Sequence, residues 1–177
     1  MIKNSFALIG FMASGKTTIG ENLVKELGED FRFIEMDMMI VEKAGKSIPE
    51  IFSDDGEIRF REYEIAVCKE ISSYQKVVIS CGGGVVLNKI NIDYLKRNCY
   101  IVLLEASVDT IFQRAMKDGK ETRPVIDKED PKKEIEKVLN FRAPFYKAAA
   151  EITIDTSNRQ IDEIINLILN EIKNKSK

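Results

Sequence analysis

The chain has 177 residues, 44% of them hydrophobic and 32% charged, a length and balance that suit one folded domain and exclude a disordered chain. Its 27 basic and 29 acidic side chains leave a formal charge of -2, so there is no broad positive field to hold nucleic acid or an anionic membrane, and any anion site must be local. Histidine is absent, which excludes Ser-His-Asp and Cys-His catalysis and most catalytic zinc sites and leaves carboxylate, Lys, Arg and backbone amide as the polar chemistry.

The first apolar run, Phe6 to Ile9, predicts a strand. It leads into GFMASGKT, Gly10 to Thr17, and then into a segment with helical spacing. This is a GxxxxGKT phosphate-binding loop in its proper strand-to-helix setting. Its backbone N–H groups form a nest for an anion, and the following helix adds the positive end of its dipole. Lys16 supplies charge to the β- and γ-phosphates, and Thr17 offers a hydroxyl to Mg²⁺. Residues Ala13, Ser14, Gly15, Lys16, Thr17 and Thr18 are therefore the candidate nucleotide-binding set, with Thr17 the candidate metal ligand. Ala13 stands where many such loops carry a further Gly, which is of little consequence if its φ is negative.

A second run, Phe33 to Ile34, continues as FIEMD and places Asp37 at the carboxyl end of a strand, where open α/β sheets bind ligands. Asp37 also reads as a helix N-cap before Met38 to Ala44. FRExE follows, with Arg61 and Glu64 three apart on a predicted helix, a spacing that an ordinary surface pair would share. The third strand, Val77 to Ile79, closes with CGGG, Cys81 to Gly84, either a plain turn or a place where main chain approaches a ligand. The fourth is Tyr100 to Leu104. Cys68, Cys81 and Cys99 are odd in number and each lies in an apolar run, which argues for a reducing compartment, the cytoplasm, and against a disulfide framework.

From Lys117 to Lys133 the chain turns polar, with one Gly, two Pro and no helical stripe, and predicts a mobile loop. RAPFY, Arg142 to Tyr146, comes next, then a fifth strand at Ile152 to Ile154. In the last helix Ile161, Ile164, Ile165, Ile168 and Ile172 fall on one stripe that would cover the sheet. Strands alternating with helices predict a parallel α/β sheet. No export signal or run of roughly 20 apolar residues is visible, so no membrane association is expected.

Taken in order, GFMASGKT, Asp37, FRExE, CGGG, TRP at Thr122 to Pro124 and RAPFY closely resemble shikimate kinase over nearly the whole chain. The resemblance implies a three-layer αβα P-loop kinase fold over residues 1–177, with a five-stranded parallel sheet and a mobile lid near 117–133. It implies ATP and Mg²⁺ as co-substrate and cofactor, shikimate as the small-molecule partner, and a monomer. By the same resemblance Arg61 and Arg142 grip the shikimate carboxylate, Gly83 lies against the substrate, and Asp37 orients or deprotonates the attacking hydroxyl. Arg123 closes over the phosphates, and Arg114 and Arg159 flank the adenine ring. Glu35 departs from the family, where Asp is frequent. Two alternatives stay open: another small-molecule or nucleoside monophosphate kinase of the same fold, and a nucleotide-binding switch without acceptor chemistry. A phosphorylated acceptor would call for more cationic side chains than two Arg.

Overall fold

The computed structural model describes residues 3–117 and 129–175. In chain order these form β1 (Ser5–Ile9), α1 (Lys16–Leu27), β2 (Arg32–Glu35), α2 (Met36–Ala44), the single turn α3 (Ile48–Glu50) and a π-helical turn (Ile51–Asp55). Then follow α4 (Gly56–Ile71), β3 (Val77–Ser80), a 3₁₀ turn (Val85–Leu87), α5 (Lys89–Leu95) and β4 (Cys99–Glu105). The chain continues through α6 (Val108–Lys117), α7 (Pro131–Ala149), β5 (Ile152–Asp155) and α8 (Ile161–Lys175). All five predicted strands are present. They pair in parallel in the order β2-β3-β1-β4-β5.

Alternation along β1 separates two cores. Ala7 and Ile9 join Ile40, Val67, Ile79, Leu95 and Ile101 on the face covered by α2, α4 and α5. Phe6 and Leu8 join Leu23, Val78, Val102, Ile165 and Ile168 on the face covered by α1 and α8. Because helices cover both faces, every residue of β1 and β3 is buried, and Phe6–Ile9 and Val77–Ile79 within them read as continuous apolar runs rather than alternating ones. In the α8 stripe Ile164, Ile165 and Ile168 are buried, while Ile161 is partly exposed.

This layering decides where a ligand can sit. The neighbours β1 and β3 are in register, Leu8 opposite Ser80, yet the helices that follow them lie on opposite faces of the sheet. The chain ends leaving β1 and β3 therefore diverge and open a crevice at their carboxyl ends, the topological switch point of a doubly wound sheet. The phosphate loop leaves one side of that crevice, and Cys81 to Gly84 leave the other. Helix α7 carries Pro144 in its interior, where it has no N–H to donate to the carbonyl of Asn140. The predicted loop is shorter than expected at its far end: residues 131–133 open α7, and Asp130 caps that helix by accepting from the Lys133 N–H. No helix among the described residues is long and apolar enough to cross a membrane.

Candidate functional site

The phosphate loop turns on three residues with positive φ, Gly10, Ala13 and Gly15. A methyl group on Gly10 would lie 2.4 Å from the carbonyl oxygen of Leu104, so only glycine fits there. Gly15 caps α1 without a side-chain hydrogen bond, and no acidic residue stands in the first turn. That leaves the helix amides and their partial positive charge to an anion. Lys16 Nζ donates to the carbonyls of Gly10 at 3.0 Å and Phe11 at 2.8 Å.

At Ala13 the φ angle is +56°, so the condition under which an Ala here would be of little consequence is not met. For an L-residue this left-handed conformation costs about 1–2 kcal/mol, partly offset because glycine would lose more freedom on folding. The Ala13→Gly variant is therefore expected to be more stable by up to ~1 kcal/mol, a rise of about 2–4 °C in Tm for a chain of this size. Thermal unfolding of the ligand-free protein checks this, and an unchanged or lower Tm would show that the loop carries no strain at that point.

Thr17, one residue into α1, donates from Oγ1 to Glu35 Oε2 at 2.8 Å and lies 3.4 Å from Ser80 Oγ. The sheet register explains the grouping, because Glu35 on β2 pairs with Ser80 on β3. Glu35 thus takes a place beside the predicted metal ligand, and its longer arm reaches the Thr17 hydroxyl. Burial pushes its carboxyl above the ordinary range, against hydrogen bonds from Thr17 and Ser80. Two hydroxyls and a carboxylate are hard oxygen donors of the kind that suits Mg²⁺. Among the described residues no group of three or more Cys, Asp or Glu could hold an ion unaided. Mg²⁺ needs none, because it keeps several waters and binds through one or two protein oxygens plus phosphates.

On the opposite wall of the crevice three glycines are hemmed in by functional groups from distant segments. A methyl group on Gly82 would lie 3.0 Å from Asp37 Oδ1, and one on Gly84 would lie 2.8 Å from Arg61 Nη1. On Gly83 it would lie 3.5 Å from Arg142 Nη1 and 3.7 Å from the Gly10 carbonyl oxygen. The loop is therefore bare because side chains crowd it, and Asp37, Arg61 and Arg142 converge on it beside the phosphate loop. Asp37 is not at the end of β2, as the sequence suggested. It lies in the first turn of α2, and Glu35 rather than Asp37 occupies the N-cap position. Burial raises its carboxyl pKa, opposed by the charge of Lys16.

Arg61 and Glu64 are not a solvated surface pair. Glu64 is 1% exposed; its oxygens lie 3.1 and 3.2 Å from Arg61 Nη1, and one of them also accepts from Asn91 Nδ2 at 2.9 Å. Arg61 makes a second, more exposed pair with Glu57. Arg142 and Tyr146 lie one turn apart on α7 and share an acceptor: Tyr146 Oη donates to the Gly83 carbonyl at 2.6 Å and Arg142 Nη1 at 3.3 Å. Burial pushes the Tyr146 phenol up to about 12, which keeps it a donor.

A pocket of about 280 Å³ lies between residues 13–15 with Thr18 on one side and Arg114 with Arg159 on the other. The structure thus brings both predicted ring-flanking arginines to one cavity at the phosphate loop. Arg114 is fixed there by Thr156, donating to its hydroxyl at 3.1 Å and its carbonyl at 2.7 Å, and to the Ala13 carbonyl at 3.3 Å. Arg123, with Thr122 and Pro124, lies outside the described residues. No role for Thr156, Tyr146 or Asn91 was legible in the sequence. Tyr146 falls within the quoted RAPFY, but the other two are single polar residues with no spacing signal.

A family model described as shikimate kinase matches residues 12–173. The chain is 40% identical over 169 residues to a shikimate kinase of Enterococcus faecalis, covering 96% of this chain and 98% of the relative. It is 41% identical over 160 residues to one of Caldanaerobacter subterraneus, covering 90% and 91%. Among solved structures, a shikimate kinase from Acinetobacter baumannii in complex with shikimate superposes with a TM-score of 0.88 at 32% identity, covering 98% of this chain and 94% of that one.

Proposed function

The chain belongs to the shikimate kinase family, and on that premise we propose that it transfers the γ-phosphoryl group of ATP to a hydroxyl of shikimate. The products are shikimate 3-phosphate and ADP, and the transfer is a direct in-line displacement with no phosphoenzyme. The observation that carries this is the convergence of Arg61, Arg142 and Asp37 on Gly82–Gly84, one strand from the phosphate loop. Two guanidinium groups facing one small cup suit a carboxylate, which accepts paired charge-assisted bonds from a planar fork. Asp37 lies on the same wall, where it can take the hydroxyl proton.

In phosphoryl transfer the protein chiefly positions the reactants and stabilises charge. The loop amides and Lys16 hold the β- and γ-phosphates, while Arg114 and Arg159 enclose the base. Thr17, with Glu35 and Ser80 behind it, would hold Mg²⁺ on the phosphates. Held there, the ion would supply positive charge to offset that on the transferring group. Arg123, in the segment between α6 and α7, would add charge and shield the reaction from water. The whole chain acts as one catalytic domain, a monomer in the cytoplasm; its buried free thiols at Cys68, Cys81 and Cys99 are consistent with a reducing compartment.

A coupled ADP-release assay with and without shikimate tests the activity. A large shikimate-dependent rate is expected, and slow hydrolysis indifferent to shikimate would replace the kinase with a nucleotide switch. The pH profile tests Asp37. A base must be ionised, and burial holds this carboxyl above its ordinary range, so kcat/KM for shikimate should fall as pH drops through a value above the usual Asp pKa of about 4. Asp37→Asn should lack that limb; a variant that keeps it assigns the titration to another group.

A further inference from the structure

Asn91 on α5 is fully buried. Its Nδ2 donates to Glu64 Oε2 at 2.9 Å and to the Val85 carbonyl at 3.2 Å. Both partners only accept, so the amide must face them with its NH₂ group. Its Oδ1 is then buried with no donor among the described residues, a cost that a leucine, with the same branching and no polar atom, would not carry. Packing alone would be better served by an apolar side chain.

The position of this amide is specific to one half of the site. Glu64 is the buried anchor of Arg61, whose other partner, Glu57, is 64% exposed and so contributes little to holding the guanidinium. Val85 directly follows Gly84, the glycine that Arg61 Nη1 crowds. A single amide therefore ties the carboxylate behind Arg61 to the main chain in front of it. On the basis of the shikimate kinase function above, we propose that Asn91 is a positioning residue for the acceptor: it locks the Glu64 carboxylate and the glycine loop together so that Arg61 stays aimed at the acceptor carboxylate. Among the described residues, the side-chain hydrogen bonds of Asn91 and Glu64 run to Arg61, to the Val85 carbonyl and to each other, so the nucleotide should not sense the change.

The test is steady-state kinetics of wild type, Asn91→Leu, Glu64→Gln and the double variant, with Tm measured for each. Loss of a hydrogen bond to a charged group should raise the shikimate KM of Asn91→Leu about 10-fold, with the ATP KM and the saturating kcat within about 2-fold. In the double variant the shikimate KM should be no higher than in the worse single variant, because one side chain acts through the other. A residue that only supports the fold would lower Tm and leave the KM split absent. If Asn91→Leu does not fold, Asn91→Ser carries the same comparison with the same expectation. A shikimate KM unchanged from wild type, a parallel rise for both substrates, or effects that multiply would overturn the assignment. Wild-type protein without shikimate-dependent turnover would instead remove the family function, and this would be evident before any variant is compared.

Discussion

Turnover of the Lys16→Met variant is expected to fall at least ~100-fold while the fold is retained, as when one preorganised electrostatic donor is removed from a site. Methionine keeps much of the length and volume of lysine, and Lys16 is only partly buried at the start of α1, so no core contact is lost. What disappears is the ammonium group. In the structure it bonds the carbonyls of Gly10 and Phe11, within the same loop whose amides would receive the phosphates. The charge that should stabilise the transferring group is thus held at the loop before nucleotide arrives. Unfolding curves of wild type and variant should nearly coincide, and single-turnover rates should separate sharply. Near-normal turnover would refute the role of the loop.

For Arg142→Ala the expected loss falls on one substrate. Removing the charged partner of a buried carboxylate typically costs about 2–5 kcal/mol, or roughly 30- to several-thousand-fold in affinity. The shikimate KM should rise within that range, with the ATP KM within about 2-fold. The geometry supports this separation. One nitrogen of Arg142 is held by the Gly83 carbonyl, while its Nε is buried and has no hydrogen-bond partner among the described residues. A carboxylate between the glycine loop and Arg61 would complete it. Titration calorimetry with each ligand separately gives the same comparison, and equal losses for shikimate and ATP would contradict the assignment.

Features that arise locally were legible in the sequence. The strands stood out because helices on both faces make Phe6–Ile9 and Val77–Ile79 continuously apolar, and the phosphate loop stood out because a nest of amides is built from consecutive residues. The acceptor cup has neither property. Arg61, Gly83 and Arg142 come from α4, the turn after β3 and α7, and nothing in their spacing reveals that they meet; only the resemblance anticipated it. At Arg61 and Glu64, local reasoning alone pointed toward a surface pair, because an i,i+3 spacing is the same whether a helix face meets water or a core. The φ of Ala13 and the placement of Asp37 two residues beyond its strand are decided by how the chain turns, which residue types only bias. Asn91 had no signal, since its role depends on a carboxylate 27 positions away.

The placement of the perturbed carboxylates separates two thresholds as the medium is acidified. With no histidine in the chain, carboxylates held above their ordinary range are the side chains that protonate first, and among the described residues these are Glu35, Asp37 and Glu64, all at the crevice. Asp30, Glu50, Asp54, Glu70 and Asp155, near the surface, are held low by hydrogen bonds and ion pairs. A group raised by burial binds its proton more tightly in the folded chain than in the unfolded one, so neutralising it does not loosen the fold. A lowered group contributes stability above its unfolded pKa, near 4, and loses it only as pH falls through its lower folded value. Mild acid should therefore silence this protein while it is still intact, and returning to neutrality should restore it without refolding.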